Sequence, residues 1–368
     1  MTQERRARIA VVGGGINGVM SAWALARAGH EVELFERGRL MGETSSASTK
    51  LIHGGLRYLE QGEFGLVRES LRERSWWLAQ APHLARPLGL ILPIYRGVSR
   101  SRLLLRLGLL LYDLMAGRRT LGRHAWLSRA ALVRRAPDLR PEGLQGGFLF
   151  YDVQMDDQGL GLWAADQARA AGATIHEGVP VERLAVDGSF LAGKERQADL
   201  IVNAAGPWCR DLLDRSGVPA RHGLDLVRGS HLVLDRPLAD GFFLQVPGEE
   251  RICFALPWRG GTLLGTTEVR QGLAEPIACS GEEENYLLGV HASAFIQAAR
   301  ATEIRERFAG LRPLVDVGSA NPGRTTREYV LEQEGRLLSV FGGKWTTARV
   351  LGEKVERMAG RIIATAGV

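Results

Sequence analysis

The chain alternates short, continuously apolar runs with amphipathic stretches, and the apolar runs stop at glycines. Residues 9–12 (IAVV) read as a buried strand, Gly13-Gly14-Gly15-Ile16-Asn17-Gly18 as a turn, and 19–27 as a helix by its apolar spacing. A second apolar run, 31–35, ends in Glu36. The pattern returns twice. Residues 198–205 (ADLIVNAA) run into Gly206-Pro207-Trp208, and 337–341 run into Gly342-Gly343-Lys344, followed by a predicted helix over 346–363. Between these segments, 224–234, 244–246, 252–257 and 262–267 alternate or run apolar between turn residues such as Arg259-Gly260-Gly261, which predicts an antiparallel sheet. Residues 282–301 are predicted helical, and 241–251 and 317–324 exposed loops.

This order predicts an α/β fold with an interleaved organisation. A dinucleotide-binding domain takes 1–75, 150–215 and 330–368, and an α+β substrate domain with a mixed or antiparallel sheet takes 76–149 and 216–329. With 368 residues and 45% hydrophobic content the chain can bury a large core. The three cysteines, Cys209, Cys253 and Cys279, have no metal-ligand or paired spacing, so free thiols in a reducing compartment are expected. No run approaches the roughly 20 apolar residues that span a bilayer. The basic start, 1–8, precedes a first strand and does not read as a signal peptide.

The first glycine turn has a specific chemistry. Gly13 permits the tight turn, Gly15 lets backbone approach a pyrophosphate, Gly18 lets helix pack on strand, and the helix N-terminus directs free N–H groups at phosphate. Glu36 then accepts from adenosine ribose hydroxyls. Because the chain returns to the same domain twice after the fingerprint, FAD is expected rather than NAD, with the helix after Gly342-Gly343-Lys344 facing the flavin N1/O2 edge. Only one fingerprint is present, which leaves no second site for NAD(P)H.

Residues 44–60, TSSASTKLIHGGLRYLE, add polar, cationic and glycine positions beside that cofactor. This run resembles the signature of the FAD-dependent (respiratory) glycerol-3-phosphate dehydrogenases, within the D-amino-acid-oxidase-like flavoproteins. Later blocks agree in order: Leu256-Pro257-Trp258 with Leu264-Gly265-Thr266-Thr267-Glu268, Gly310-Leu311-Arg312-Pro313-Leu314, and Ser339-Val340-Phe341-Gly342-Gly343-Lys344 with Thr346-Thr347. The resemblance implies a Rossmann-like FAD domain of the D-amino-acid-oxidase type, noncovalent FAD, and hydride transfer from sn-glycerol 3-phosphate to flavin N5, giving dihydroxyacetone phosphate. Cofactor contacts then fall on Gly13, Gly15, Asn17, Gly18 and Glu36, on Thr44, Ser45, Ser48, Lys50, Leu51, His53, Gly54 and Gly55, on Ala205, Gly206 and Trp208, and on Gly342, Gly343, Lys344, Trp345 and Thr346. Arg57, His231 and Arg312 are implied to be catalytic, and Arg57, Tyr58, Arg327 and Lys344 to bind an anionic substrate.

Two features depart from that family. Its members continue with a C-terminal helical domain where this sequence stops at Val368, which reads as a short form and leaves the oligomeric state open. Trp345 and Ala348 stand where an aliphatic residue and a tyrosine are usual, which leaves the substrate open.

Guanidinium forks match phosphate oxygens, and a lysine adds a point charge, which suits a phosphorylated substrate. His231 is the expected proton acceptor, with Arg312 able to stabilise a developing alkoxide. An amine or 2-hydroxy-acid oxidase would use the same arginines for a carboxylate, and a flavin-binding accessory subunit is the alternative outside enzymology. Electrons are expected to leave to a quinone, oxygen or a protein acceptor. The net charge of +6 is unevenly placed: Arg96, Arg100, Arg102, Arg106, Arg118, Arg119 and Arg123 surround the leucine-rich run 103–115. Such a helix suits an anionic membrane surface, giving a cytoplasmic protein peripheral on the inner face of the cytoplasmic membrane, and suits equally a buried helix of the substrate domain. No aromatic-basic stripe points to nucleic acid.

Overall fold

The structure is a computed structural model that describes residues 6–60, 62–97, 101–249, 251–316 and 329–365. Among the described residues, one six-stranded sheet is built from the apolar runs that end in glycine. Its central strand Arg8–Val12 pairs in parallel with Leu200–Asn203 on one side and Glu31–Glu36 on the other. Leu337–Gly342 extends it in parallel beyond Leu200–Asn203, and Tyr329–Glu334 closes that edge antiparallel. Parallel strands need both faces covered, which explains why these runs do not alternate. Helices Ile16–Arg27, Asp157–Ala170 and Ala348–Thr365 supply buried residues, including Val19, Leu160 and Val355, to the core cluster that also holds Ile9 and Val11.

A ten-stranded, largely antiparallel sheet forms the second body of the fold. Leu224–Leu234 is its hub, pairing with Gly261–Gly265, with Val269–Arg270 and with the long strand Ile304–Val315. Gly241–Gln245 belongs to this sheet and corrects the expected loop over 241–251. It pairs antiparallel with Ile252–Trp258 and parallel with Ala85–Tyr95, because Phe242 and Leu244 point one way into the core. The strands Ala85–Tyr95 and Leu144–Met155 are paired along their whole length, although the first contains Pro87 and Pro93. Both prolines obscure a strand in a sequence. Leu144–Met155 runs across the expected domain boundary at 150, and Leu51–Ile52 joins the same sheet.

The helix expected over 282–301 ends at Ala294. Phe295 turns extended there and drops its ring against Phe242 and His291, so packing ends the helix where periodicity alone would continue it. Its start is fixed by a capping box between Ser280 and Glu283. The leucine-rich run forms helix Arg102–Ala116, with Leu105, Leu109, Tyr112 and Ala116 buried. Its other face exposes Leu103, Leu104, Leu107, Leu110 and Leu114, each more than half accessible. Among the described residues no helix is long and apolar enough to cross a membrane. The expected loop at 317–324 lies outside the described residues.

Candidate active site

Two cavities, of about 190 and 320 Å³, share Thr44, Pro313, Gly343, Lys344 and Trp345 as lining residues. The first follows the fingerprint. Gly13, Gly15, Asn17, Glu36, Thr44, Ser45, Ala205, Gly206, Trp208 and Gly342 line it. Glu36 is held at the end of its strand by two backbone donors, Gly14 N at 2.6 Å and Gly38 N at 2.7 Å. Ile16 N donates to Ser45 Oγ at 3.0 Å, which ties the 44–46 turn to the first helix. Gly18 does not line the cavity but makes its shape possible: a Cβ there would lie 1.9 Å from Gly13 O. Arg37 covers Trp208 at 3.8 Å, a stacking contact at the cavity's rim that residue spacing does not reveal.

Asn17 links the fingerprint to the C-terminal turn, its Nδ2 donating to Gly342 O at 3.1 Å. Its Oδ1 is buried without a protein partner, which leaves an acceptor for a ligand hydroxyl. A groove with glycines at its base, a helix N-terminus beside it, a fixed carboxylate and an unmatched acceptor fits an adenine dinucleotide such as FAD.

The second cavity opens from the shared residues toward the ten-stranded sheet. Ser48, Leu51, His53, Gly55, Tyr58, His231, Arg312 and Thr346 line it, as do Thr49, Phe150, Phe243, Ile252, Phe254 and Glu268, none of which was among the expected site residues. The alternation of Ile252–Trp258 was the only signal for the aromatic wall. Lys344 Nζ stands 4.4 Å above the Tyr58 ring, so the two expected substrate contacts are brought together.

His231 and Arg312 face this cavity from neighbouring strands. The His231 ring stacks on Phe308 with centroids 4.9 Å apart and is 2% exposed. Gly265 has to be glycine for this, since a Cβ would meet His231 Cδ2 at 2.2 Å. His231 Nε2 is 3.0 Å from Thr49 Oγ1, while Nδ1 is buried with no partner. Burial, with the Arg312 and Lys50 cations as lesser causes, holds its pKa well below the ordinary histidine range, so the ring is neutral at pH 7. Arg312 is aimed by Thr267 O at 2.8 Å, Thr266 Oγ1 at 3.2 Å and Glu268 Oε1 at 3.4 Å.

Lys50 and Gly54 line neither of these cavities. Lys50 takes a left-handed φ of 58° and turns its ammonium into an ion pair with Asp157 at 2.7 Å, beside a separate polar cavity. Ser48 Oγ also donates to Asp157. Gly54 N donates to Asp152 Oδ1 at 3.1 Å, and Asp152 is paired in turn with buried Arg74 and with the Tyr112 hydroxyl. The glycine turn at 54–55 is thereby anchored from behind. Arg327 and the side chain of Arg57 lie outside the described residues.

The family described as "FAD dependent oxidoreductase" matches residues 8–355. A glycerol-3-phosphate dehydrogenase of Pseudomonas aeruginosa is 41% identical over 94% of this chain and 70% of its own length. The D-erythritol 1-phosphate dehydrogenase of Brucella abortus is 36% identical over 96% of the chain and 74% of its own. Among solved structures, the glycerol-3-phosphate dehydrogenase from Bacillus halodurans complexed with FAD superposes with a TM-score of 0.77 at 26% identity, covering 99% of this chain and 66% of that one. Matching fold, cofactor groove and sequence together, this chain is an enzyme of the FAD-dependent oxidoreductase family, in its glycerol-3-phosphate dehydrogenase branch.

Proposed function

We propose that the enzyme oxidises sn-glycerol 3-phosphate, or a closely similar phosphorylated secondary alcohol, to the ketone, here dihydroxyacetone phosphate. The observation that carries this reading is a neutral, buried His231 and a fixed Arg312 lining one cavity with Lys344. FAD, held noncovalently along the fingerprint and the 44–55 and 342–346 segments, supplies the hydride acceptor at N5. His231 takes the alcohol proton at Nε2, the nitrogen already within hydrogen-bond distance of a hydroxyl, that of Thr49. Arg312 stabilises the developing alkoxide without exchanging a proton of its own. Lys344 and Tyr58 hold the phosphate, with Arg57 and Arg327 as the further cations that the family resemblance implies, and Phe243 and Phe254 keep water out of the cavity. The domain division at 1–75, 150–215 and 330–368 against 76–149 and 216–329 belongs to this reading, with strand Leu144–Met155 and its partner Leu51–Ile52 assigned to the substrate-side sheet.

The enzyme acts on a small substrate and passes electrons to an acceptor; a membrane quinone is the acceptor we favour. An apolar cavity beneath helix Arg102–Ala116 is lined by Leu104, Leu107, Leu111 and Phe64, and shares Leu56, Phe243 and Ile252 with the substrate cavity. The exposed leucines of that helix form the continuous apolar face that an interfacial helix presents to lipid. This face supports our reading that the enzyme is peripheral on the inner face of the cytoplasmic membrane. A substrate panel under anaerobic conditions tests the reading: phosphorylated alcohols should bleach the flavin, and amino acids and 2-hydroxy acids should not.

A further inference from the structure

Five of the eight tryptophans form one connected cluster that begins at the cofactor cavity. Trp345 lines both cavities, so its indole would border FAD bound along them. Trp77, fully buried, follows with ring centroids 5.3 Å away. From Trp77 the cluster reaches Trp163 at 6.3 Å and Trp76 at 4.9 Å, and both contact Trp23. Trp163, Trp76 and Trp23 are all partly open to solvent. Burial alone does not require five indoles in a row, and tryptophan is among the most easily oxidised side chains.

We propose that Trp345, Trp77 and Trp163 form a relay for single electrons between the flavin and the protein surface, giving the enzyme a second, light-driven activity: reduction of its FAD by an external one-electron donor of the thiol or ascorbate class. Blue light makes the oxidised flavin a strong enough oxidant to take one electron from an indole. Trp345 loses that electron and the flavin gains it. Trp77 then returns one to Trp345, and Trp163 returns one to Trp77, so the positive hole moves outward. At Trp163 the oxidised indole releases its Nε1 proton to water, and the external donor restores the electron while water restores the proton. Per cycle the donor is oxidised by one electron and the flavin reduced by one.

Proton release selects the exit. Arg27 lies 6.0 Å from the Trp23 ring, and a nearby cation opposes a positive hole, whereas Arg349, 5.1 Å from the Trp76 ring, is itself neutralised by Glu73 and Glu353. Among the described residues no arginine or lysine is placed over Trp163. The inner indoles keep their protons, because Trp345 Nε1 donates to Ser45 O at 2.8 Å and Trp77 Nε1 to Thr346 O at 3.2 Å, whereas Trp163 can lose its proton to water. The inference rests on FAD binding, not on which substrate the enzyme oxidises.

The test uses the FAD-loaded enzyme, anaerobic and without substrate, with ascorbate as donor. Flash excitation should produce a long-lived neutral tryptophan radical by transient absorption or electron spin resonance, and continuous blue light should bleach the flavin. Trp77→Phe should abolish both signals by breaking the series, and Trp163→Phe should remove the long-lived radical while leaving a rapid early quench of flavin emission. Trp126→Phe, outside the cluster, should change neither. Trp163 lines neither cavity, so its variant keeps the test valid if Trp77→Phe folds poorly. Parent-like radical lifetime and photobleaching in Trp163→Phe would overturn the relay. Bleaching by substrate in the dark is scored separately and reports only on the dehydrogenase reading.

Discussion

His231 Nε2 lies 3.0 Å from Thr49 Oγ1, which joins the ten-stranded sheet to the loop that follows the dinucleotide fingerprint. The contact depends on a run of local features: the left-handed turn at Lys50, the missing side chain at Gly265 and the Phe308 ring beneath the imidazole. If His231 accepts the alcohol proton, His231→Gln should slow flavin reduction by about 10²- to 10⁴-fold, the range for loss of a general base. FAD content should be unchanged. A variant that reduces at the parent rate in stopped flow removes His231 from the chemistry.

The pH response follows from the same burial. His231 is held well below the usual histidine pKa, and burial lowers His291 to about 4. Above pH about 6.5 both are neutral in folded and unfolded chains alike. As pH falls below that, the unfolded chain binds protons that the fold refuses, so stability declines by about 1.4 kcal/mol per pH unit for each histidine. The His291 share ends near pH 4, where the folded side chain also protonates. Urea unfolding from neutral pH downward should show this loss, and a shallower one in His231→Gln. The rate of flavin reduction should show no inflection from His231 near pH 6.5, because the folded ring stays neutral there.

Lys50 separates structure from ligand contact. Its ammonium pairs with buried Asp157 and is 8% exposed. Lys50→Met leaves that carboxylate buried without its partner and should destabilise the fold by about 3–5 kcal/mol. A thermal unfolding midpoint equal to that of the parent would mean that the pair contributes nothing.

Lys344 should discriminate phosphate. Lys344→Ala is expected to weaken a phosphorylated substrate by about 1.5–3 kcal/mol, roughly 10- to 150-fold in kcat/KM, and an unphosphorylated analogue far less. Equal losses for both would assign the lysine to the cofactor instead.

The leucine face of Arg102–Ala116 gives a further expectation. Replacing Leu103, Leu107, Leu110 and Leu114 together by serine should release the protein from anionic liposomes and leave substrate reduction of the flavin intact. Of the arginines around the helix, Arg102 lies 3.7 Å over the Trp126 ring. Co-sedimentation that is unchanged in the quadruple variant would assign the face to a protein contact.

The dinucleotide half of the molecule was legible because its strands are continuously apolar and its glycines sit at fixed offsets. Each of Gly13, Gly15 and Asn17 lies in the groove that its spacing suggested. The substrate half was less legible. Pro87 and Pro93 hid an eleven-residue strand, and Phe295 ended a helix for reasons of packing with distant Phe242. Lys50 was indistinguishable in sequence from a cofactor contact, because its partner Asp157 is 107 residues away. The tryptophan cluster draws on positions 23, 76, 77, 163 and 345, and no local pattern brings these together.

The central claim is oxidation of a phosphorylated alcohol at the cavity shared by His231, Arg312 and Lys344. Anaerobic titration of the FAD-loaded enzyme with sn-glycerol 3-phosphate tests it most directly. The flavin band should bleach stoichiometrically, with one dihydroxyacetone phosphate formed per flavin reduced. A flavin that stays oxidised with sn-glycerol 3-phosphate and with erythritol phosphate, yet bleaches with an amino acid or a 2-hydroxy acid, would contradict the account.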